Sequence, residues 1–255
     1  MSVLGFTAQA QKTNNKNSST IVLVHGAWAD ASSWDAVTPL LKAQGHEVIA
    51  VNLAGHGKDT TSFAGISFQT YVDQVKAAIG TRTNVVLVGH SFAGMVISQV
   101  AEEIPAQIRE LVYLGAALPH DGDSLLALAN QDPASHIGKS LTIDKEHGAA
   151  IISKDAVADI FAADAPAQVQ AYLSANIKAE PLAPLATPVH LTDKNFGSIK
   201  KVYIHTLNDH AISYPAQQYM VKAGNVAKEY TLASSHTPFI SMPDKLAGIL
   251  VSVSK

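Results

Sequence analysis

The stretch that most constrains this chain is VVLVGHSFAG, residues 85 to 94, where an apolar β-run ends at a glycine and a serine stands where a helix begins. Val85, Val86, Leu87 and Val88 suit a strand buried on both faces, the pattern of a parallel sheet covered by helices. The MVISQVAEE that follows carries apolar residues at helical spacing. Ser91 is therefore predicted on a sharp strand-to-helix bend, a nucleophile elbow, which lifts the hydroxyl above the sheet edge and needs small residues on either side of it. Gly89 and Ala93 are both small; glycine is usual at the second position, and Gly94 follows to let the helix pack closely. The competing reading of Ser91 is a helix N-cap in an ordinary βα unit.

The chain around the elbow repeats the alternation of strand and helix. TIVLVHG from Thr20 reads as a buried strand closed by Gly26 and Ala27, SSWDAVTPLLKAQG as a helix burdened by Pro39, and HEVIAVNL as the next strand. SFQTYVDQVKAAIG, 67 to 80, places Phe68, Tyr71, Val72, Val75 and Ala78 or Ile79 on one helical face. IRELVYLGAAL is a further strand. This order predicts an α/β fold with a mostly parallel sheet covered on both faces. After Pro119 the pattern changes to short helical pieces and a small hairpin, SLTID and AAIIS, before the Pro-rich PLAPLATP. Residues 119–187 are read as a cap inserted between two parts of the core, 19–118 and 188–255. The core pattern resumes in KKVYIHT, AQQYMVKAG, AKEYTLAS and DKLAGILVSV.

Composition closes off several classes of function. A net charge of −3 without a run of Lys or Arg argues against a nucleic-acid partner, and no apolar run has the length of a membrane-spanning helix, so membrane insertion is not expected. The chain contains no cysteine, so disulfides, thiolate metal sites and cysteine nucleophiles are excluded. The histidines show no HxH or HExxH spacing, and neither a metal nor a cofactor is expected. Residues 1–18 read as a flexible lead-in whose Ala8-Gln9-Ala10 resembles the end of a signal peptide. A signal remnant implies a periplasmic or secreted protein, and a plain tail a cytoplasmic one.

Ser91, Asp209 and His236 each fall just beyond a predicted strand, and parallel strands present those ends along one edge. A serine hydroxyl is hardly ionised at neutral pH and needs a base, here His236, whose other ring nitrogen Asp209 would hold. The tetrahedral oxyanion would be met by the backbone N–H groups of Phe92, after the nucleophile, and Ala27, in the loop after the first strand. Asp121 and Asp123 are rival acids, and Asp209 could instead be only a turn residue. His25 and His90 read as structural supports of these loops, and His56 as part of a turn. Gly26, Trp28, Thr237 and Phe239 adjoin the site in sequence and are candidate pocket residues.

HGAWADASSW, GHSFAGM, LNDHAI and SSHTPF, in this order over nearly the whole chain, resemble the α/β-hydrolases of the plant methylesterase and hydroxynitrile lyase type and their bacterial relatives. The resemblance implies a sheet lacking the first strands of the eight-stranded form, a cap over the pocket, the triad Ser91, Asp209 and His236, and an oxyanion hole at Ala27 and Phe92. The lyases carry a lysine after the catalytic histidine and a threonine after the first histidine of the HGA-like loop. This chain has Thr237 and Gly26 there, which favours hydrolysis of a small to medium carboxylic ester. A lyase, a C–C hydrolase, a cofactor-free dioxygenase of the same fold, and a ligand receptor with a vestigial triad stay open as alternatives.

Overall fold

Alternating apolar residues along the central strands build two separate cores, one on each face of a sheet. The computed structural model describes residues 19–255; the lead-in at 1–18 lies outside the described residues. In chain order the first part of the core contains β1 (Thr20–Val24), α1 (Thr38–Ala43), β2 (Glu47–Val51), α2 (Phe68–Ile79), β3 (Val85–His90), α3 (Ala93–Glu103) and β4 (Ile108–Leu114). An insert follows, with α4 (Leu125–Ala129), β5 (Leu141–Asp144), β6 (Ala149–Ile152), α5 (Val157–Ala162), α6 (Ala167–Asn176), β7 (Glu180–Pro181) and α7 (Leu182–Ala186). The core then resumes with β8 (Lys200–Thr206), α8 (Tyr214–Ala223), β9 (Lys228–Leu232), α9 (Pro238–Ser241) and α10 (Pro243–Val253).

The main sheet has six strands in the order β2-β1-β3-β4-β8-β9, and every pairing is parallel. Val22, Leu87 and Tyr113 face α2, α3 and α8, whereas Ile21, Val86, Val88 and Val112 face α1 and α10. Both faces are dry, so the strands read as continuous apolar runs, as the elbow strand did. Phe68, Tyr71, Val72, Val75 and Ile79 are the buried stripe of α2, whose N-terminus is closed by a capping box between Ser67 and Thr70. The single helix expected over SSWDAVTPLLKAQG is split. A short 3-10 turn at Ala31–Trp34 precedes α1, which begins at Thr38 with Pro39 in its first turn, the place where the missing proline N–H costs no hydrogen bond.

The insert carries its own antiparallel sheet, order β5-β6-β7, in which the expected hairpin is β5 and β6. The Pro-rich exit was not expected to contain a strand, yet Glu180 and Pro181 pair with Ala150 and Ala149. Ile152, Val157 and Ile160 of the insert share a small core with Ala211 and Trp28 of the main body. The insert thus packs directly on the loops that leave the sheet's C-terminal edge.

Close backbone approach sets the elbow. A Cβ on Gly89 would lie 2.8 Å from the Ala93 carbonyl oxygen, and one on Gly94 only 2.0 Å from that of Ala117. The Ala93 methyl itself is fully buried in the core, so the departure from glycine is accommodated and the indispensable glycine is one residue later. Gly94→Ala is expected to cost about 3 kcal/mol through overpacking against backbone, read as a lowered urea midpoint with an unchanged m-value.

Candidate functional site

Three loops at the C-terminal edge of the sheet converge on Ser91. The serine has φ of 55°, a left-handed conformation that a non-glycine residue adopts only under constraint. Its N–H donates to Leu114 O at 3.2 Å, while Ala117 and Gly94 donate to its carbonyl at 3.1 Å, so the bend is pinned from β4 and from its own helix. Gly26 of the neighbouring loop is so close that a Cβ there would meet Ser91 Cβ at 2.8 Å.

His236 and Asp209 form a buried pair, with Nδ1 donating to Oδ2 at 2.7 Å. Asp209 is heavily solvated by protein donors. Its Oδ1 accepts from the backbone N–H of Ala211 at 2.7 Å and Ile212 at 2.9 Å, and its Oδ2 from Thr206 Oγ1 at 2.6 Å. These bonds hold the carboxylate in place. His236 Nε2 is buried and has no hydrogen-bond partner among the described residues. Asp121 and Asp123 are occupied elsewhere, accepting from the Leu191 and His120 N–H groups. His90 Nε2 donates to His236 O at 2.8 Å and its ring lies 4.5 Å from that of His236, which supports the loop from below.

Among the described residues the backbone N–H groups of Ala27 and Phe92 have no hydrogen-bond acceptor. The peptide that carries the Ala27 N–H is oriented from its other end, where His25 Nδ1 donates to Gly26 O at 2.8 Å. His25 Nε2 accepts from Leu53 N, so the ring is neutral, and burial first, then the neighbouring His56, bring its pKa down to about 3. Trp28 follows with φ of 57°. Its N–H donates to Glu180 Oε2 at 2.7 Å and its indole Nε1 to Ala150 O at 3.0 Å, both on the insert.

Ser91, Ala27 and Trp28 open into a cavity of about 370 Å³. Leu125, Leu126 and Ile137 from the insert and Ile212 and Met220 from the core supply apolar walls. Of the candidate pocket residues only Trp28 lines this space. Gly26 is wedged behind Ser91, Thr237 turns its Oγ1 to Phe161 O at 2.7 Å, and Phe239 is buried against Trp34 and His90. Adjacency in sequence misplaces Thr237 and Phe239, because the turn after His236 directs them into the insert and the core. Thr206, Glu180 and Gln217, whose Nε2 donates to Thr206 Oγ1 and Ile212 O, are not announced by the sequence, since none carries a signature of its own. The insert also steadies the histidine loop through Asp164, which accepts from Ser235 N and Oγ.

A cluster that no local spacing announces joins His136, Asp159 and His210, whose donor atoms lie within 4.8 Å of one another and could in principle hold a divalent ion. In the structure both Nδ1 atoms donate to the Asp159 carboxylate, at 2.6 and 3.0 Å, and tie the insert to the loop after Asp209.

A serine on a strained strand-to-helix turn, a histidine bonded to a buried aspartate and free backbone donors beside them, all at one edge of a parallel sheet, define a nucleophile-elbow fold. The alpha/beta hydrolase family matches residues 21–249, and the chain belongs to it, among the members of plant methylesterase type. It is 31% identical to "Putative methylesterase 11, chloroplastic" of Arabidopsis thaliana, over 98% of this chain and 67% of that protein. It spans 59% and 58% of two further Arabidopsis relatives of this kind. The pyrethroid hydrolase of Sphingobium wenxiniae is 29% identical over 89% of this chain and 84% of its own length. In fold, polyneuridine aldehyde esterase superposes with a TM-score of 0.82 at 24% identity, covering 93% of this chain and 100% of that one. Among the described residues no helix is long and apolar enough to cross a membrane.

The buried histidines make stability depend on pH. His25 is held at about 3 and His90 well below the ordinary value, chiefly by burial, so both are neutral in the folded protein at pH 5 and protonated when unfolded. The contribution of His25 is full above the unfolded pKa of about 6.5 and is lost as pH falls toward 3, and that of His90 is lost in the same direction. His56, shifted upward, is protonated in both states there and does not contribute. The unfolding free energy is therefore expected to fall by about 1.4 kcal/mol per pH unit through His25 between pH 6 and 4, with His90 and the likewise lowered His46 steepening the fall, measured by urea denaturation across that range.

Proposed function

We propose that the protein is a serine esterase that cleaves a small to medium carboxylic ester with an apolar substituent, through an acyl-enzyme on Ser91. The observation that carries this reading is the His236–Asp209 bond of 2.7 Å, which commits Nδ1 and leaves the buried Nε2 without a partner beside a loop system centred on an elbow serine. Nε2 takes the Ser91 proton as Oγ attacks the ester carbonyl, and Asp209 stabilises the imidazolium. The N–H groups of Ala27 and Phe92 receive the oxyanion. Collapse breaks the C–O bond, and His236 returns the proton to the departing alcohol. Water then gives a proton to His236 and attacks the acyl carbon; as the bond to Ser91 Oγ breaks, His236 returns that proton to Oγ and the acid leaves.

The insert, residues 119–187, is read as the cap over this site. Its leucines make the cavity apolar, and a space of about 370 Å³ suits a small to medium ligand. The names of the relatives, methylesterase and pyrethroid hydrolase, support ester cleavage. Lyase chemistry is not favoured, because the residue after His236 is Thr237, an uncharged side chain bonded to Phe161 O.

On a chromogenic short-chain ester, Ser91→Ala is expected to lose about 10⁶-fold in kcat and Asp209→Asn about 10⁴-fold, whereas Asp121→Asn and Asp123→Asn keep the wild-type rate. Undiminished activity of Ser91→Ala would sink the serine mechanism. Along a series of p-nitrophenyl esters of growing chain length, kcat/KM is expected to rise about fourfold for each CH₂ that the cavity buries. Leu126→Asn should flatten that series.

A further inference from the structure

The insert contributes one carboxylate to the region of the oxyanion donors, and that group is completely buried. Glu180, on β7, has no exposed surface, yet it is surrounded by donors from the core. Its Oε2 accepts from Trp28 N at 2.7 Å and from His56 Nε2 at 2.7 Å, and the Tyr71 hydroxyl approaches Oε1 at 3.5 Å. His56 Nδ1 meets Ala54 O at 2.9 Å. Both nitrogens of His56 therefore face acceptors, and because Oε2 already accepts from a backbone N–H, the arrangement is an imidazolium beside a carboxylate. The hydrogen bond and the charge of Glu180 outweigh the desolvation of His56, and its pKa is raised.

The position of this pair gives it a consequence for the reaction proposed above. Ala27 lies between two peptides, and each is held by a different part of the molecule. The preceding one is fixed through Gly26 O by His25, a core residue. The following one is fixed through Trp28 N by Glu180, an insert residue, against the cost of the left-handed turn at Trp28. An oxyanion donor works only if it is aimed before charge develops. A lone carboxylate so near would oppose the developing negative charge, so the imidazolium of His56 is needed as its counter-ion.

We propose that Glu180 and His56 act as positioning residues for ester hydrolysis: the carboxylate aims the Ala27 N–H through Trp28, the imidazolium neutralises that carboxylate, and the oxyanion site is thereby complete only when the insert is docked. This rests on the serine-esterase reading and extends it to residues that touch no substrate. No local pattern marks the pair, since Glu180 and His56 are separated by 124 positions.

The test compares Glu180→Ala, His56→Asn and the double variant Glu180→Gln/His56→Asn with wild type and Ser91→Ala on one p-nitrophenyl ester. Glu180→Ala and His56→Asn are each expected to lose about 10- to 100-fold in kcat with little change in KM, as misplacement of an oxyanion donor does. The double variant, which removes the buried charge together with its counter-ion, is expected to recover at least about fivefold over His56→Asn, a rescue that simple loss of packing does not produce. A trifluoromethyl ketone, which places an oxyanion on a serine adduct, should lose affinity in Glu180→Ala in parallel with kcat. If Glu180→Ala does not fold, the His56→Asn and double-variant comparison decides alone. A kcat unchanged in the single variants, a rise in KM only, or a double variant slower than His56→Asn overturns the inference. Those outcomes with an inactive Ser91→Ala leave the esterase reading standing, whereas an active Ser91→Ala removes the reading itself.

Discussion

The closeness of backbone to backbone at the elbow is the constraint on which the rest depends. Ser91 can stand in a left-handed turn only because Gly89 lies against the first turn of α3, Gly94 against the Ala117 carbonyl and Gly26 against Ser91 itself. Three chain segments meet there with no space for a further methyl. The strain at Ser91 is held by a sheet dry on both faces, where Val86 and Leu87 anchor the strand in opposite cores. A rigid edge of this kind lets one hydroxyl be presented with little freedom, which is what positioning catalysis requires.

Around that edge the polar groups are organised in two tiers. The core supplies one: Thr206, Ala211 and Ile212 fix Asp209, which fixes His236, and His25 fixes the Gly26 carbonyl. The insert supplies the other: Asp164 holds Ser235, Phe161 O holds Thr237, Asp159 meets His210 and Glu180 holds Trp28. The loops that carry Ala27, Asp209 and His236 are thus bonded on one side to the core and on the other to the insert. The insert both encloses the apolar cavity and steadies the groups that face it. Buried carboxylates such as Glu180 and Asp209 are tolerable because each accepts several hydrogen bonds, Glu180 from Trp28 N and His56 and Asp209 from Thr206, Ala211, Ile212 and His236.

Much of the fold was legible because it rests on short-range patterns. Apolar runs of strand length, helices with stripes such as Phe68 to Ile79, and glycines after strands identify the parallel sheet and the order of its parts. Pro39 showed the limit of periodicity, since its apolar neighbours continue a helical pattern that the ring itself divides. The strand at Glu180 and Pro181 was invisible for a different reason. Two residues pair with β6 because the insert folds back on itself, and no local preference favours a strand at a Pro-rich exit.

By itself the sequence determined the elbow, the order in which serine, aspartate and histidine follow the strands, and the family these motifs resemble. Those are properties of adjacent residues, set by steric limits on a turn and by the rule that parallel strands end on one side. Only the tertiary structure decided that Asp209 rather than Asp121 or Asp123 meets His236, that Thr237 and Phe239 turn away from the cavity, and that Glu180 reaches across to His56 and Trp28. Hydrogen bonds and pocket walls depend on distances of a few ångströms between segments far apart in the chain, and those distances exist only once both cores and the insert have packed.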